Sequence, residues 1–162
     1  MSLLEASAPD FFLPDQYGNQ VKLSDLKGQP VVLYFYPRDA TPGCTTEACD
    51  FRDALPDYEG MGARVLGISP DTVESHRRFA DKHGLPFTLL ADPARVAIQA
   101  YGVWKEKTLY GKKSWGVERT TVVIDRDGIV RKVFSRVRVA GHVQKVLEVV
   151  RGLGQGGQVG KA

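Results

Sequence analysis

The chain of 162 residues holds two cysteines, Cys44 and Cys49, five apart in the run Pro37-Arg38-Asp39-Ala40-Thr41-Pro42-Gly43-Cys44-Thr45-Thr46-Glu47-Ala48-Cys49. This run follows the apolar stretch Val31 to Tyr36 and leads into a helix predicted from about Gly43 to Tyr58. A thiol in the first turn of a helix meets unpaired backbone N–H groups and the positive end of the helix dipole. Both favour the thiolate, which is the reactive form. Pro37 and Pro42 stiffen the loop, and Gly43 allows close approach of another atom to the backbone. The polar neighbours Thr41, Thr45, Thr46 and Glu47 argue against an inert thiol packed as a small hydrophobe. A second thiol nearby gives an oxidised first one a partner to condense with. The spacing therefore points to thiol redox chemistry.

Helix geometry adds a constraint. Two residues five apart in one intact helix have Cα atoms about 8 to 9 Å apart, whereas a disulfide needs less than about 7 Å. A Cys44–Cys49 bond therefore requires part of the helix to unwind, and the reduced form is expected to carry the longer helix.

The elements around the loop read as α/β. Val31 to Tyr36 is a continuous apolar run, the mark of a central strand covered on both faces. Further strands are predicted at Arg64 to Ser69, Thr120 to Ile124 and Ile129 to Phe134. The last two form a hairpin across Asp125-Arg126-Asp127-Gly128. A short hairpin is predicted around Asp15 to Asn19. Asp71-Thr72-Val73-Glu74 reads as a helix start and His83-Gly84 as its end. Asp92-Pro93 reads as the start of another helix, with Pro at its first position and Gly102 closing it. A last helix is predicted from about Ala140 to Leu153, with Val143, Val146, Leu147 and Val150 on one face. This order implies a thioredoxin-like fold, a central mixed β-sheet flanked by helices on both faces. Residues 1–153 form one domain, and 154–162 a flexible Gly-rich tail.

The composition is that of an ordinary globular domain, 43% hydrophobic and 25% charged. The net charge of +3 is modest, and the basic clusters Lys105 to Lys113 and Arg131 to Arg138 are short and interleaved with acids, so no nucleic-acid partner is expected. No stretch approaches the ~20 apolar residues of a membrane span, and the first residues do not read as a signal peptide. A soluble cytoplasmic protein is expected, where a cysteine pair is catalytic or redox-sensing rather than structural. His76, His83 and His142 lack paired ligand spacing, and surface or capping roles are expected for them, with no metal.

The residues quoted resemble a known family. Proline, threonine and cysteine at Pro37, Thr41 and Cys44 match the peroxiredoxin signature, and Glu47 and Arg119 match that family's acidic position and second-site arginine. Ala8-Pro9-Asp10-Phe11 and Leu23 to Gly28 are similar to its N-terminal segments. The run Thr41 to Cys49 is similar to the subgroup called bacterioferritin comigratory protein, or peroxiredoxin Q. The resemblance covers roughly Ala8 to Val150. It implies that Cys44 attacks a hydroperoxide to give a sulfenic acid, and that Cys49 resolves it as a disulfide. It implies that Arg119 stabilises the thiolate and the developing oxygen charge, and that Thr41 holds the peroxide. Pro37 would shield the site, and Glu47 would orient Arg119. Thioredoxin, or glutaredoxin, would then reduce the disulfide, and no flavin, haem or metal is needed. Resolution within one chain suits a monomer and leaves a dimer open.

The residues alone leave rivals. A thioredoxin-like reductase would separate its cysteines by two residues rather than four. A redox sensor would use the same thiol chemistry, and a one-cysteine peroxidase would not need Cys49.

Overall fold

The computed structural model describes residues 3–159. Its centre is a five-stranded mixed sheet built from β3 (Val31–Phe35), β4 (Arg64–Ser69), β5 (Thr88–Ala91), β8 (Thr120–Ile124) and β9 (Val130–Phe134). The order is β5-β4-β3-β8-β9. β3 runs parallel to β4, and β4 to β5. β8 runs antiparallel to β3, and β9 to β8. Two antiparallel hairpins stand apart from it, β1 (Phe12–Pro14) with β2 (Gln20–Lys22), and β6 (Trp104–Leu109) with β7 (Lys112–Val117).

All five residues of β3 are buried, and its alternation divides the core in two. Val32 and Tyr34, with Tyr36 just beyond the strand, face a cluster closed by α1 (Pro42–Gly60), α2 (Val73–His83) and α4 (His142–Val159). Val31, Leu33 and Phe35 face the other side, against α3 (Val96–Ala100) and the N-terminal segment through Phe11, Leu13 and Leu23. Helices thus cover both faces, as a continuous apolar central strand requires.

Gly67 of β4 is registered against Tyr34. A Cβ at Gly67 would lie 2.8 Å from Tyr34 Cζ and 2.9 Å from Leu89 Cδ2. The glycine lets the tyrosine ring lie over β4 on the same face and stack on Phe51 of α1, with centroids 4.6 Å apart. α1 carries Pro56 in its interior without ending there, and the Tyr58 hydroxyl donates to the Val143 carbonyl at 2.6 Å, tying α1 to α4. Buried Gln16 bonds the Phe87 carbonyl and the Leu89 N–H, fixing the first hairpin to β5.

Several sequence readings need correction. Pro93 does not open α3. Asp92 to Arg95 form a turn, with the Arg95 N–H on the Asp92 carbonyl. The Asp92 carboxylate reaches forward to cap the N–H groups of Val96 and Ile98 at 2.8 and 2.9 Å. The segment Lys105 to Lys113, read only as a basic patch, is the β6–β7 hairpin. α4 runs to Val159, past the expected end at Leu153 and through glycines assigned to a tail. Glycine costs a helix about 1 kcal/mol per residue relative to alanine but does not forbid it. Residues 160–162 of that expected tail lie outside the described residues. By contrast α2 begins and ends as expected, with the Thr72 hydroxyl capping the Ser75 N–H and Gly84 left-handed at the C-cap.

Candidate active site

Cys44 is the third residue of α1. Pro42 opens the helix and Thr41 caps it in extended conformation, and the first helical bond runs from the Thr45 N–H to the Thr41 carbonyl at 2.8 Å. The first-turn N–H groups of Gly43 and Cys44 therefore have no intrahelical acceptor. The Cys44 side chain is buried at 1% exposure, against the core beneath β3.

Arg119 reaches this thiol from the neighbouring strand, at the end of the sheet where Thr120 of β8 pairs with Phe35 of β3. It leaves the β6–β7 hairpin immediately before β8, and its carbonyl accepts the Val137 N–H at 3.0 Å. Its Nη2 donates to Cys44 Sγ at 3.3 Å and its Nη1 to Glu47 Oε1 at 2.6 Å. One planar guanidinium thus bridges two residues that stand one turn apart on α1. The approach depends on Gly43, where a Cβ would lie 3.2 Å from Arg119 Nη2. Burial works against the charge on Arg119, but Glu47 and Cys44 outweigh it and hold the guanidinium more firmly protonated than usual.

Glu47 is fully buried. Burial pushes its carboxyl up to about 7, against the pull of Arg119, and Asp50 adds to the rise. Its second oxygen, Oε2, has no hydrogen bond and lies 3.9 Å from His142 Nε2. His142 is itself buried, paired with the Thr121 hydroxyl at 2.8 Å, with Phe134 edge-on to its ring. Burial, then Arg119 and Lys145, drive the imidazole down to about 4, so it is neutral near pH 7. The line Cys44, Arg119, Glu47, His142 thus runs from α1 to the start of α4.

Thr41 and Pro37 lie on the loop between β3 and α1. The Thr41 hydroxyl donates its proton to the Arg38 carbonyl at 3.0 Å, which leaves its lone pairs to accept an O–H from a ligand. Pro37 is half-buried at the end of the central strand. Cys49 is a free, half-buried thiol one and a half turns beyond Cys44 in the unbroken helix α1, where helix geometry puts the Cα atoms about 8 to 9 Å apart. The arrangement can stabilise a thiolate, place a donor fork beside it, and hold a small acidic O–H ligand.

Sequence reasoning missed two buried histidines. His142 and His76 are 4% and 0% exposed, not surface residues. Their signal was weak, because each stands among helical residues with no ligand spacing, and only packing brings His142 to Glu47 and His76 to the β3–α1 loop. His76, Asp39 and Asp71 place ligand atoms within 4.8 Å of one another. Those oxygens are already engaged by the His76 ring, the Ser69 and Ser75 hydroxyls and the Asp39 N–H.

Residues 4–133 match the model of the AhpC/TSA family. The chain is 46% identical over 148 residues to the peroxiredoxin Bcp of Bacillus subtilis, covering 91% of this chain and 94% of that one. It is 46% identical over 140 residues to the peroxiredoxin Bcp of Escherichia coli, covering 86% and 90%. Among solved structures it superposes on a cysteine variant of Xanthomonas campestris peroxiredoxin Q with a TM-score of 0.88, at 39% identity over 93% of this chain and 99% of that one. Another X. campestris structure, of the bacterioferritin comigratory protein, matches with a TM-score of 0.87 at 39% identity, over 94% of this chain and 98% of that one; its description concerns alkyl peroxide reduction. With its thiol, arginine and glutamate brought together on this fold, the chain belongs to the AhpC/TSA family and is a peroxiredoxin of the Bcp and PrxQ type.

Proposed function

We propose that the chain is a two-cysteine peroxidase that reduces hydrogen peroxide and organic hydroperoxides and is recycled by thioredoxin or a similar dithiol protein. The observation that carries this reading is the 3.3 Å contact of Arg119 Nη2 with Cys44 Sγ, made while Nη1 holds Glu47. The Cys44 thiolate attacks the nearer peroxide oxygen. The S–O bond forms, the O–O bond breaks, and the leaving alkoxide or hydroxide takes a proton from solvent. Cys44 becomes a sulfenic acid. Arg119 stabilises the thiolate beforehand and the leaving oxygen as its charge grows. Thr41 accepts the peroxide O–H, the Cys44 N–H steadies the reacting oxygen, and Pro37 keeps water from the thiolate. Glu47 holds the guanidinium in register by a charge-assisted pair.

Cys49 then attacks the Cys44 sulfur. The S–S bond forms, the S–O bond breaks, and hydroxide leaves as water with the Cys49 proton. Because both thiols lie in α1, its first turns unwind for this step. An external dithiol returns the disulfide to two thiols, and the cycle needs no second subunit. A reducing cytoplasm suits a protein whose two thiols must both be restored.

The test is a single-turnover mix of reduced protein with hydrogen peroxide, read by intact mass and tryptophan fluorescence. Wild type is expected to lose about two mass units, and Cys49→Ser to gain about sixteen, one oxygen. A reaction no faster than that of a free thiol overturns the reading. Full thioredoxin-driven turnover by Cys49→Ser overturns the role of Cys49.

A further inference from the structure

A second buried ionisable cluster lies on the other side of the Cys44 loop, and the chemistry above does not use it. The His76 ring, on α2, is fully buried, and the Asp39 side chain, on the β3–α1 loop, is 4% exposed. His76 Nε2 lies 2.9 Å from the Leu90 carbonyl oxygen. A carbonyl only accepts, so Nε2 carries a hydrogen. His76 Nδ1 lies 2.7 Å from Asp39 Oδ2. Two lone pairs would repel at that distance in a buried site, so a proton lies between them as well. The carboxylate also accepts from the Tyr36 hydroxyl on Oδ1 at 2.6 Å and the Ser75 hydroxyl on Oδ2 at 2.8 Å. The Asp39 N–H donates to Asp71 Oδ2 at 2.8 Å. Asp39 is therefore tied to the end of β3, to α2 and, through His76, to β5.

Immediately after this anchor the backbone turns through Ala40 at φ +63°, a left-handed conformation that a residue with a Cβ rarely adopts. Thr41 follows. Fixing Asp39 holds that turn, and with it the direction of the Thr41 hydroxyl and the entry into α1. Among the described residues, no hydrogen bond or ion pair joins Asp39 or His76 to Cys44 or Arg119.

Building on the peroxidase reading, we infer that Asp39 and His76 share a buried proton and act as positioning residues for the peroxide-binding loop. They set where the hydroperoxide sits rather than how reactive the thiol is.

The experiment compares wild type, Asp39→Asn and Asp39→Ala by the single-turnover rate with hydrogen peroxide and by the rate of Cys44 alkylation with iodoacetamide. Asp39→Ala is expected to lose at least tenfold in peroxide rate while alkylation changes less than about threefold, a split that general loosening would not give. Asp39→Asn is expected to stay within about threefold of wild type for both. Its amide can donate to Nδ1 of a neutral His76 and to the Ser75 hydroxyl, while its oxygen accepts from Tyr36. Proton NMR of the wild type should show a far-downfield, exchange-protected resonance from the Nδ1–Oδ2 contact, absent in Asp39→Asn. If Asp39→Ala does not fold, Tyr36→Phe removes one donor to Asp39 and should lower the peroxide rate two- to fivefold with alkylation unchanged. Equal losses in both reactions, or a fast Asp39→Ala, overturn the positioning role, and a missing downfield resonance overturns the shared proton. The wild-type rate separates the two readings. A wild type no faster than a free thiol overturns the peroxidase function, whereas a fast wild type with an equally fast Asp39→Ala overturns only the role of the loop anchor.

Discussion

Glu47 Oε2 and His142 Nε2 face each other across 3.9 Å in the interior, and burial moves each group away from its charged form. The glutamate is pushed up to about 7 and the histidine down to about 4. The two shifts have opposite consequences for stability as pH changes, which makes them separable.

Replacing Glu47 with Gln should change how stability varies with pH. A carboxyl whose folded value lies above its unfolded 4.5 contributes stability that is fully present below 4.5 and lost as pH rises through about 7. Relative to Glu47→Gln, wild type should lose about 3 kcal/mol between these limits. Denaturant melts of both proteins from pH 4 to 8 check this. The variant should also react with peroxide about tenfold more slowly, because a neutral amide holds Arg119 less firmly than a carboxylate.

His142→Gln should act with the reverse sign. An imidazole whose folded value lies below its unfolded 6.5 contributes stability present above 6.5 and lost as pH falls through about 4. The loss of stability on acidification should therefore be smaller in His142→Gln than in wild type by about 3 kcal/mol across that window, read from thermal melts at stepped pH. An unchanged acid limb would mean that His142 takes up no extra proton on unfolding.

Arg119→Lys is not conservative here. A single ammonium cannot span Cys44 Sγ and Glu47 Oε1 with two fixed donors. The rate of sulfenic acid formation should fall about 10²- to 10³-fold, the loss seen when one preorganised donor is removed from an active site. Circular dichroism should remain that of wild type. A rate within tenfold of wild type would show that charge alone suffices.

Gly43→Ala should separate stability from activity. Alanine favours a helical position over glycine by about 1 kcal/mol, so the melting temperature should hold or rise. Its Cβ would sit 3.2 Å from Arg119 Nη2 and push the guanidinium from Cys44. The peroxide rate should drop severalfold in stopped-flow fluorescence. A drop in both quantities would locate the effect in folding instead.

Much of this molecule was legible in local sequence. The continuous apolar run at Val31, the Asp-Gly turn before Val130 and the Thr72 and Gly84 signals around α2 act through neighbours a few residues apart, so pattern and propensity read them correctly. The placement of Cys44 in a first turn was equally local, as was its spacing from Cys49. The β6–β7 hairpin was missed because lysines interrupt its strands and its apolar residues Trp104, Trp115 and Val117 meet on one face only through the cross-strand pairing, and α3 was misplaced because Asp92 caps at a distance.

Local sequence therefore determined which groups are available: a thiol at a helix start, a second thiol too far along the same helix to bond without unwinding, and an arginine ahead of a strand. The tertiary structure decided what those groups meet. The antiparallel pairing of β8 with β3 carries Arg119 across a separation of 75 residues to Cys44. Packing of α4 against α1 sets His142 beside Glu47, and α2 brings His76 to Asp39. Such meetings depend on burial, which shifts the charge states of Glu47 and His142, and burial is a property of the packed whole rather than of any one segment.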